Sequence, residues 1–236
     1  MRLITLATIA VLALGGLWPR DAFAQARVQN QTLQRDGQPT VRYAISIPAN
    51  YSPSAKVPLV LALHFGGDPA GAGRAVLDIL IGPGLAELGA IIVAPDSLNG
   101  GWDSAENDRA VIQLLDTVLA NYSIDTAKIL VTGFSMGGAG TWHFGSKYPQ
   151  RFSAAIPLAG RPTPAAAGWK LPILAIHSRI DEVAPFAPTE ARIAELKKAG
   201  VRAELIAVNG ISHYQTFRFA DPLRQAVPWL REVWKK

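Results

Sequence analysis

Two hydrophobic patterns alternate along the chain after residue 25. Short, nearly unbroken apolar runs lie at 57–63, 90–94, 128–132, 154–158, 171–176 and 203–208. Runs of this length without polar alternation predict strands buried on both faces. Between them lie stretches with helical period. In 106–122, Ala110, Leu114, Val118 and Tyr122 share one face, with Val111, Leu115 and Leu119 beside them. Residues 139–148 are helix-compatible, 189–199 is amphipathic and stops at Gly200, and 221–234 carries Pro222 near its start. Residues 70–88 read as helical with a break at Gly82-Pro83-Gly84. Ahead of these, 27–34 and 40–47 flank Asp36-Gly37, which predicts a β-hairpin. A βα alternation opening on an antiparallel hairpin predicts an α/β fold with eight strands, mostly parallel, and helices on both faces. No repeat or linker divides 25–236, which reads as one domain with a surface loop at 162–168.

The first two dozen residues follow neither pattern. Met1-Arg2 gives a short positive start, 3–18 is apolar and uncharged, and Ala22-Phe23-Ala24 offers a cleavage site, with Ala24-Gln25-Ala26 as its rival. This predicts a secretory signal peptide over 1–24, and so an exported protein, periplasmic or secreted. Against the other reading, an N-terminal membrane anchor, stand Gly15-Gly16 and a run shorter than the roughly 20 residues that a span needs. No stable membrane insertion is expected. With no cysteine, disulfides and N-terminal thioether lipidation are both excluded. The formal charge is +5, from 23 Lys and Arg against 18 Asp and Glu. The basic residues are scattered, with short pairs such as Lys197-Lys198 and no stripe interleaved with aromatics, which argues against a nucleic-acid partner.

Chemistry concentrates at Gly133-Phe134-Ser135-Met136-Gly137, directly after the apolar run Ile129-Leu130-Val131. A buried strand feeding a G-x-S-x-G turn and then a helix is the setting of a nucleophile elbow, which projects a serine hydroxyl above a sheet. Serine is a poor nucleophile without a base in reach and a third group to orient that base. Where an elbow of this type carries a triad, the chain order is Ser, then Asp or Glu, then His. Asp181 follows the run at 171–176, with Glu182 as its rival, and His213 follows the run at 203–208 as the sole histidine beyond Asp181. His177 precedes the acid and is expected to shape its loop. His143, on the helix after the elbow, reads as a packing or surface residue. An oxyanion needs preorganised N–H donors. The amide of Met136 is one candidate, and Phe65 or Gly66 in His64-Phe65-Gly66-Gly67 is the other.

These residues resemble a known group. Leu63-His64-Phe65-Gly66-Gly67, Tyr122-Ser123-Ile124-Asp125, the elbow through Trp142, Tyr148-Pro149-Gln150-Arg151-Phe152 and the loops of Asp181 and His213 are similar to the bacterial α/β-hydrolase serine esterases of the feruloyl esterase, dienelactone hydrolase and polyhydroxybutyrate depolymerase-like group. The resemblance implies the α/β-hydrolase fold, a Ser135–Asp181–His213 triad, an acyl-enzyme intermediate and no cofactor; no residues are assigned to a metal. Many relatives have His-Gly where this chain has His64-Phe65, and dienelactone hydrolases proper use a cysteine nucleophile. Only 159–170 separates two strands where such folds insert a lid, so no large lid and an open cleft are expected. Trp102 and Tyr214 are the expected substrate-contacting residues, Phe217 flanks the histidine, and Trp142 packs under the elbow. The function expected is an exported carboxylic-ester hydrolase acting on acylated polysaccharide or aromatic esters. Alternatives are a peptidase or phospholipase on the same triad, or an inactive binding protein of the same fold.

Overall fold

The computed structural model describes residues 26–163 and 168–235. The leader at 1–24 and residues 164–167 of the loop at 162–168 lie outside them. One eight-stranded sheet organises the rest: β1 (Arg27–Arg35), β2 (Gln38–Ile47), β3 (Val57–Leu63), β4 (Ile91–Pro95), β5 (Ile124–Phe134), β6 (Ala154–Leu158), β7 (Ile173–Ser178) and β8 (Ala203–Val208). The spatial order is β1-β2-β4-β3-β5-β6-β7-β8. β1 and β2 pair antiparallel about Gly37, whose φ of 65° is the left-handed turn conformation that glycine allows. β2 meets β4 antiparallel, and every other pairing is parallel.

Period two along the strands builds two cores. Leu59, Leu61, Leu63, Val93 and Val131 face one side, with Leu114, Leu115 and Val118 of the helix Ala105–Asn121. Val60, Ala62, Ile92, Leu130 and Ile156 face the other, with Leu77, Leu80, Leu223 and Leu230. The unbroken apolar runs therefore reflect strands sandwiched between helices. Each buried leucine contributes roughly 1.5–3 kcal/mol, which is how a chain without disulfides holds together.

The helices are α1 (Ala72–Val76), α2 (Gly82–Leu85), α3 (Ala105–Asn121), α4 (Met136–Lys147), α5 (Phe186–Lys198), α6 (Ala220–Gln225) and α7 (Val227–Val233). Three boundaries depart from expectation. Gly82-Pro83-Gly84 does not break its segment: a π-helical turn, Leu77–Ile81, leads into α2, and Pro83 sits in the first turn, where a missing N–H costs nothing. The stretch 221–234 is two helices, α6 and α7, joined at Ala226, because Pro228 falls in the first turn of a new helix. β7 extends two residues further than the apolar run, so His177 belongs to the strand and not to the loop. Since β3 to β8 are parallel, the loops after β3, β5, β7 and β8 all open on one edge of the sheet, where open α/β folds build their sites.

Candidate active site

The turn after β5 is tight by necessity. A β-carbon on Gly133 would lie 2.6 Å from the Leu63 carbonyl oxygen, and one on Gly137 would lie 2.0 Å from it, so only glycine lets β3 and α4 approach this closely. Ser135, between them, has φ 57° and ψ −113°, a conformation unfavourable for a residue with a side chain. Its amide is anchored on the Leu158 carbonyl at 2.9 Å. The turn leads directly into α4, which starts at Met136, earlier than the predicted 139. The amides of that first turn have no intrahelical acceptor and point toward the serine end of the helix.

The loops after β7 and β8 bring two further groups to the serine. His213 Nε2 is 2.8 Å from Ser135 Oγ, and His213 Nδ1 is 2.7 Å from Asp181 Oδ2. A carboxylate on Nδ1 fixes the proton there, so Nε2 presents its lone pair to the hydroxyl. The Asp181 carboxylate is itself fully buried and satisfied. Its Oδ1 accepts the amides of Val183 at 3.0 Å and Ala184 at 2.6 Å.

His177 lies behind this carboxylate, 1% exposed. Its Nε2 faces the Ala184 carbonyl at 2.8 Å, with Asp181 Oδ2 at 3.5 Å, and its Nδ1 faces the Thr189 hydroxyl at 2.9 Å. Both Nε2 neighbours accept only, so Nε2 carries the proton and the ring is neutral. Burial holds its pKa below the usual histidine value, against the raising effect of the Ala184 carbonyl and Asp181. The expected loop-shaping role acquires a geometry: His177 braces the chain that carries the acid. Glu182, the rival acid, does not reach the imidazole. It accepts the Ser212 hydroxyl and the His213 amide instead.

The loop after β3 is held from below. His64 is fully buried; its Nδ1 donates to the Phe65 carbonyl at 2.6 Å and its Nε2 accepts the Ser97 amide at 2.9 Å. Burial keeps it neutral, lowering its pKa more than the Phe65 carbonyl and Asp96 raise it. Gly66 approaches the elbow, since a β-carbon there would sit 4.0 Å from Met136 Cβ. Phe65 is partly buried against the second core.

Trp102 corrects an expectation. It is 1% exposed and lines no cleft. Its Nε1 donates to the His64 carbonyl at 3.0 Å, its ring stands edge-on to His64 with centroids 5.0 Å apart, and it fills the space left by the missing side chain of Gly140. The cause is Asn107, whose side chain binds the carbonyls of Asn99 and Gly101 and the amide of Leu98, drawing the loop inward. Trp142 is buried against Trp169 under the elbow. His143 belongs to an interhelical cluster, contacting the buried Asp108 at 2.7 Å together with Lys147 and Tyr148. Burial raises the Asp108 pKa, but those hydrogen bonds outweigh it and hold the carboxyl below its usual value. Tyr214, 78% exposed, and Phe217, 63% exposed, stand on the histidine loop, and Ile180 and Val183 are exposed on the acid loop. The bracing roles of His64, Trp102 and Glu182 carry no local sequence signal, because each depends on a loop partner distant in the chain. Among the described residues no group of three or more His, Asp or Glu side chains is placed to hold a metal ion, and no helix is long and apolar enough to cross a membrane.

The profile of the family described as phospholipase/carboxylesterase matches residues 95–225, more than half of the chain. A probable feruloyl esterase C of Aspergillus terreus is 30% identical over 156 residues, covering 61% of this chain and 56% of that protein. The chain thus spans little more than half the length of this curated relative. Among solved structures, a thermostable esterase superposes with a TM-score of 0.72 at 22% identity, over 91% of this chain and 63% of that one. A ferulic acid esterase does so with a TM-score of 0.70 at 18% identity, over 89% and 99%. Both likenesses establish the α/β-hydrolase fold.

Proposed function

We propose that this chain, which belongs to the phospholipase/carboxylesterase family, is an exported serine hydrolase of carboxylic esters, working on aromatic or acylated-polysaccharide esters. The observation that carries the reading is the relay from Ser135 Oγ through His213 to the buried Asp181, at 2.8 and 2.7 Å, on a serine held at positive φ. In this mechanism His213 Nε2 takes the Ser135 proton as Oγ bonds to the ester carbonyl carbon. The carbonyl oxygen gains the electron pair and is met by the amides of Met136 and of Phe65 or Gly66. Asp181 stabilises the imidazolium. The tetrahedral intermediate then expels the alkoxide, which leaves with the proton from His213, and an acyl-Ser135 remains. Water, deprotonated by His213, attacks that carbonyl; the second tetrahedral intermediate breaks its bond to Ser135 Oγ, which takes the proton back from His213, and the acid leaves. Each step draws on this chain and water alone.

Ester substrates are favoured over peptides by the family and by relatives described as esterases. The aromatic preference rests on the exposed ring of Tyr214, which stands edge-on to His213 with centroids 6.0 Å apart. Export rests on the leader pattern of 1–24. The test is hydrolysis of a panel by the purified protein: nitrophenyl acetate, methyl ferulate, feruloylated oligosaccharide, phosphatidylcholine vesicles and a peptide anilide. Turnover of the first three, abolished in Ser135→Ala, is expected. Turnover confined to the vesicles or the anilide, or retained in the variant, would overturn it.

A further inference from the structure

The loop carrying His213 is held at several polar groups of its backbone. The Gly210 carbonyl accepts from Arg218 at 3.0 Å, and the Ile211 carbonyl accepts from the Ser178 hydroxyl at 2.5 Å. The Ser212 amide donates to the Gln215 side chain at 3.0 Å, and the His213 amide donates to Glu182 Oε2 at 3.1 Å. Glu182 Oε1 also accepts the Ser212 hydroxyl. Of these partners only Glu182 comes from the acid loop. Two consecutive carboxylates thus grip one residue: Asp181 by the imidazole and Glu182 by the main chain. Asp181 by itself leaves the ring free to pivot about the Nδ1 bond, whereas a second fixed point on the backbone removes that freedom.

We propose that Glu182 is a positioning residue, a clasp that ties the histidine loop to the acid loop and sets the His213–Ser135 distance. The proposal rests on the nucleophile reading of Ser135 and goes beyond it, since it assigns work to a residue outside the triad. Glu182 accepts two donors on two charged oxygens; glutamine offers one neutral acceptor oxygen, and holds both groups only if the Ser212 hydroxyl turns from donor to acceptor. The hydroxyl of Ser212 first, and then the His213 amide, hold its carboxyl below the usual glutamate pKa, so the clasp stays charged well into the acid range. The groups facing His213 are Asp181, Ser135, Glu182, the rings of Phe134 and Tyr214, and His177 across the shared Asp181 carboxylate. Only the two carboxylates bear charge.

The experiment compares Glu182→Gln, Glu182→Asp and Ser212→Ala with wild type in kcat, KM and pH profile on nitrophenyl acetate. Glu195→Gln, a charge removal on an exposed turn of α5, is the control. Displacement of a reacting group by a fraction of an ångström costs on the order of tenfold, so Glu182→Gln is expected to lower kcat about tenfold with KM unchanged. Removing a negative charge near the imidazole disfavours its protonated form, so the acid limb of kcat/KM moves to lower pH. Glu182→Asp, one methylene short, recovers the position of that limb while kcat stays low. Ser212→Ala, which keeps the amide contact, has the smaller effect. In ¹⁵N-labelled protein the His213 amide proton moves upfield in Glu182→Gln, where the acceptor is a neutral amide oxygen, reporting the weakened bond without reference to turnover. Wild-type kcat, KM and pH profile in Glu182→Gln, against an active wild type, would overturn the clasp. An inert wild type whose His213 amide still responds to Glu182→Gln would overturn the nucleophile reading instead.

Discussion

The site has a buried half and an exposed half, and they are built on different rules. His64, Trp102, His177 and the Asp181 carboxylate are all at most 1% exposed, and each polar atom among them that faces the site has a partner. Tyr214, Phe217, Ile180 and Val183, within a few residues of the same triad, are among the most exposed large apolar side chains of the described protein. A buried polar network is costly when incomplete and rigid when complete, so the first half has its charge and geometry preset. The second half leaves apolar area in water, which binding recovers. In the proposed reading, the first sets rate and the second sets which ester is held.

That division can be broken from the rate side first. Asp181→Asn would put an amide N–H or a neutral oxygen against His213 Nδ1, and an N–H there imposes the wrong imidazole tautomer. The expected loss is about 10⁴-fold in kcat with KM little changed. A loss confined to KM would mean that the acid belongs to binding. The next effect is at His64. His64→Leu removes the donor to the Phe65 carbonyl and the acceptor for the Ser97 amide, so a kcat loss of about 10² is expected, from a displaced oxyanion donor, together with a lower Tm. Full activity with a lower Tm would make His64 a packing residue only.

Acid stability follows from the same half. His64 and His177 both have folded pKa values pushed below the unfolded one by burial. A histidine depressed in this way stabilises the fold above its unfolded pKa of about 6.5, and that contribution disappears as pH falls through the folded value. Tm should therefore decline on acidification below about pH 6.5, and less steeply in His177→Asn. A Tm independent of pH over that interval would contradict buried neutral rings. The smallest effect belongs to the rim. Tyr214→Ala should raise KM for methyl ferulate several-fold, by the area the ring covers, and leave methyl butyrate, which has no ring, untouched. Equal effects on both esters would remove the aromatic preference.

The eight strands, mostly parallel after the hairpin, and the elbow were legible because each is a local pattern: apolar runs, Asp36-Gly37 and glycines at fixed offsets from Ser135; the placing of β4 between β2 and β3 was not read. The meeting of Asp181 and His213 with Ser135 was legible through chain order, since each loop follows its own strand. Trp102 was not. Its place in the loop after a strand read as a substrate contact, and only the side chain of Asn107, caught on three backbone groups of that loop, turns it inward. The Gly82-Pro83-Gly84 segment misled for a similar reason: the π turn that accommodates it is set by packing, with Gly84 against Leu223, far along the chain. What the sequence hid was, in the first case, a helix side chain folded back on the loop before it and, in the second, a contact made across the fold.

The central claim is that Ser135 is an activated nucleophile. Its most direct test is the intact mass of the protein after treatment with a fluorophosphonate, for wild type and Ser135→Ala. One phosphonyl adduct in the wild type and none in the variant is the predicted result. No adduct in the wild type, or an equal adduct in the variant, would contradict the account.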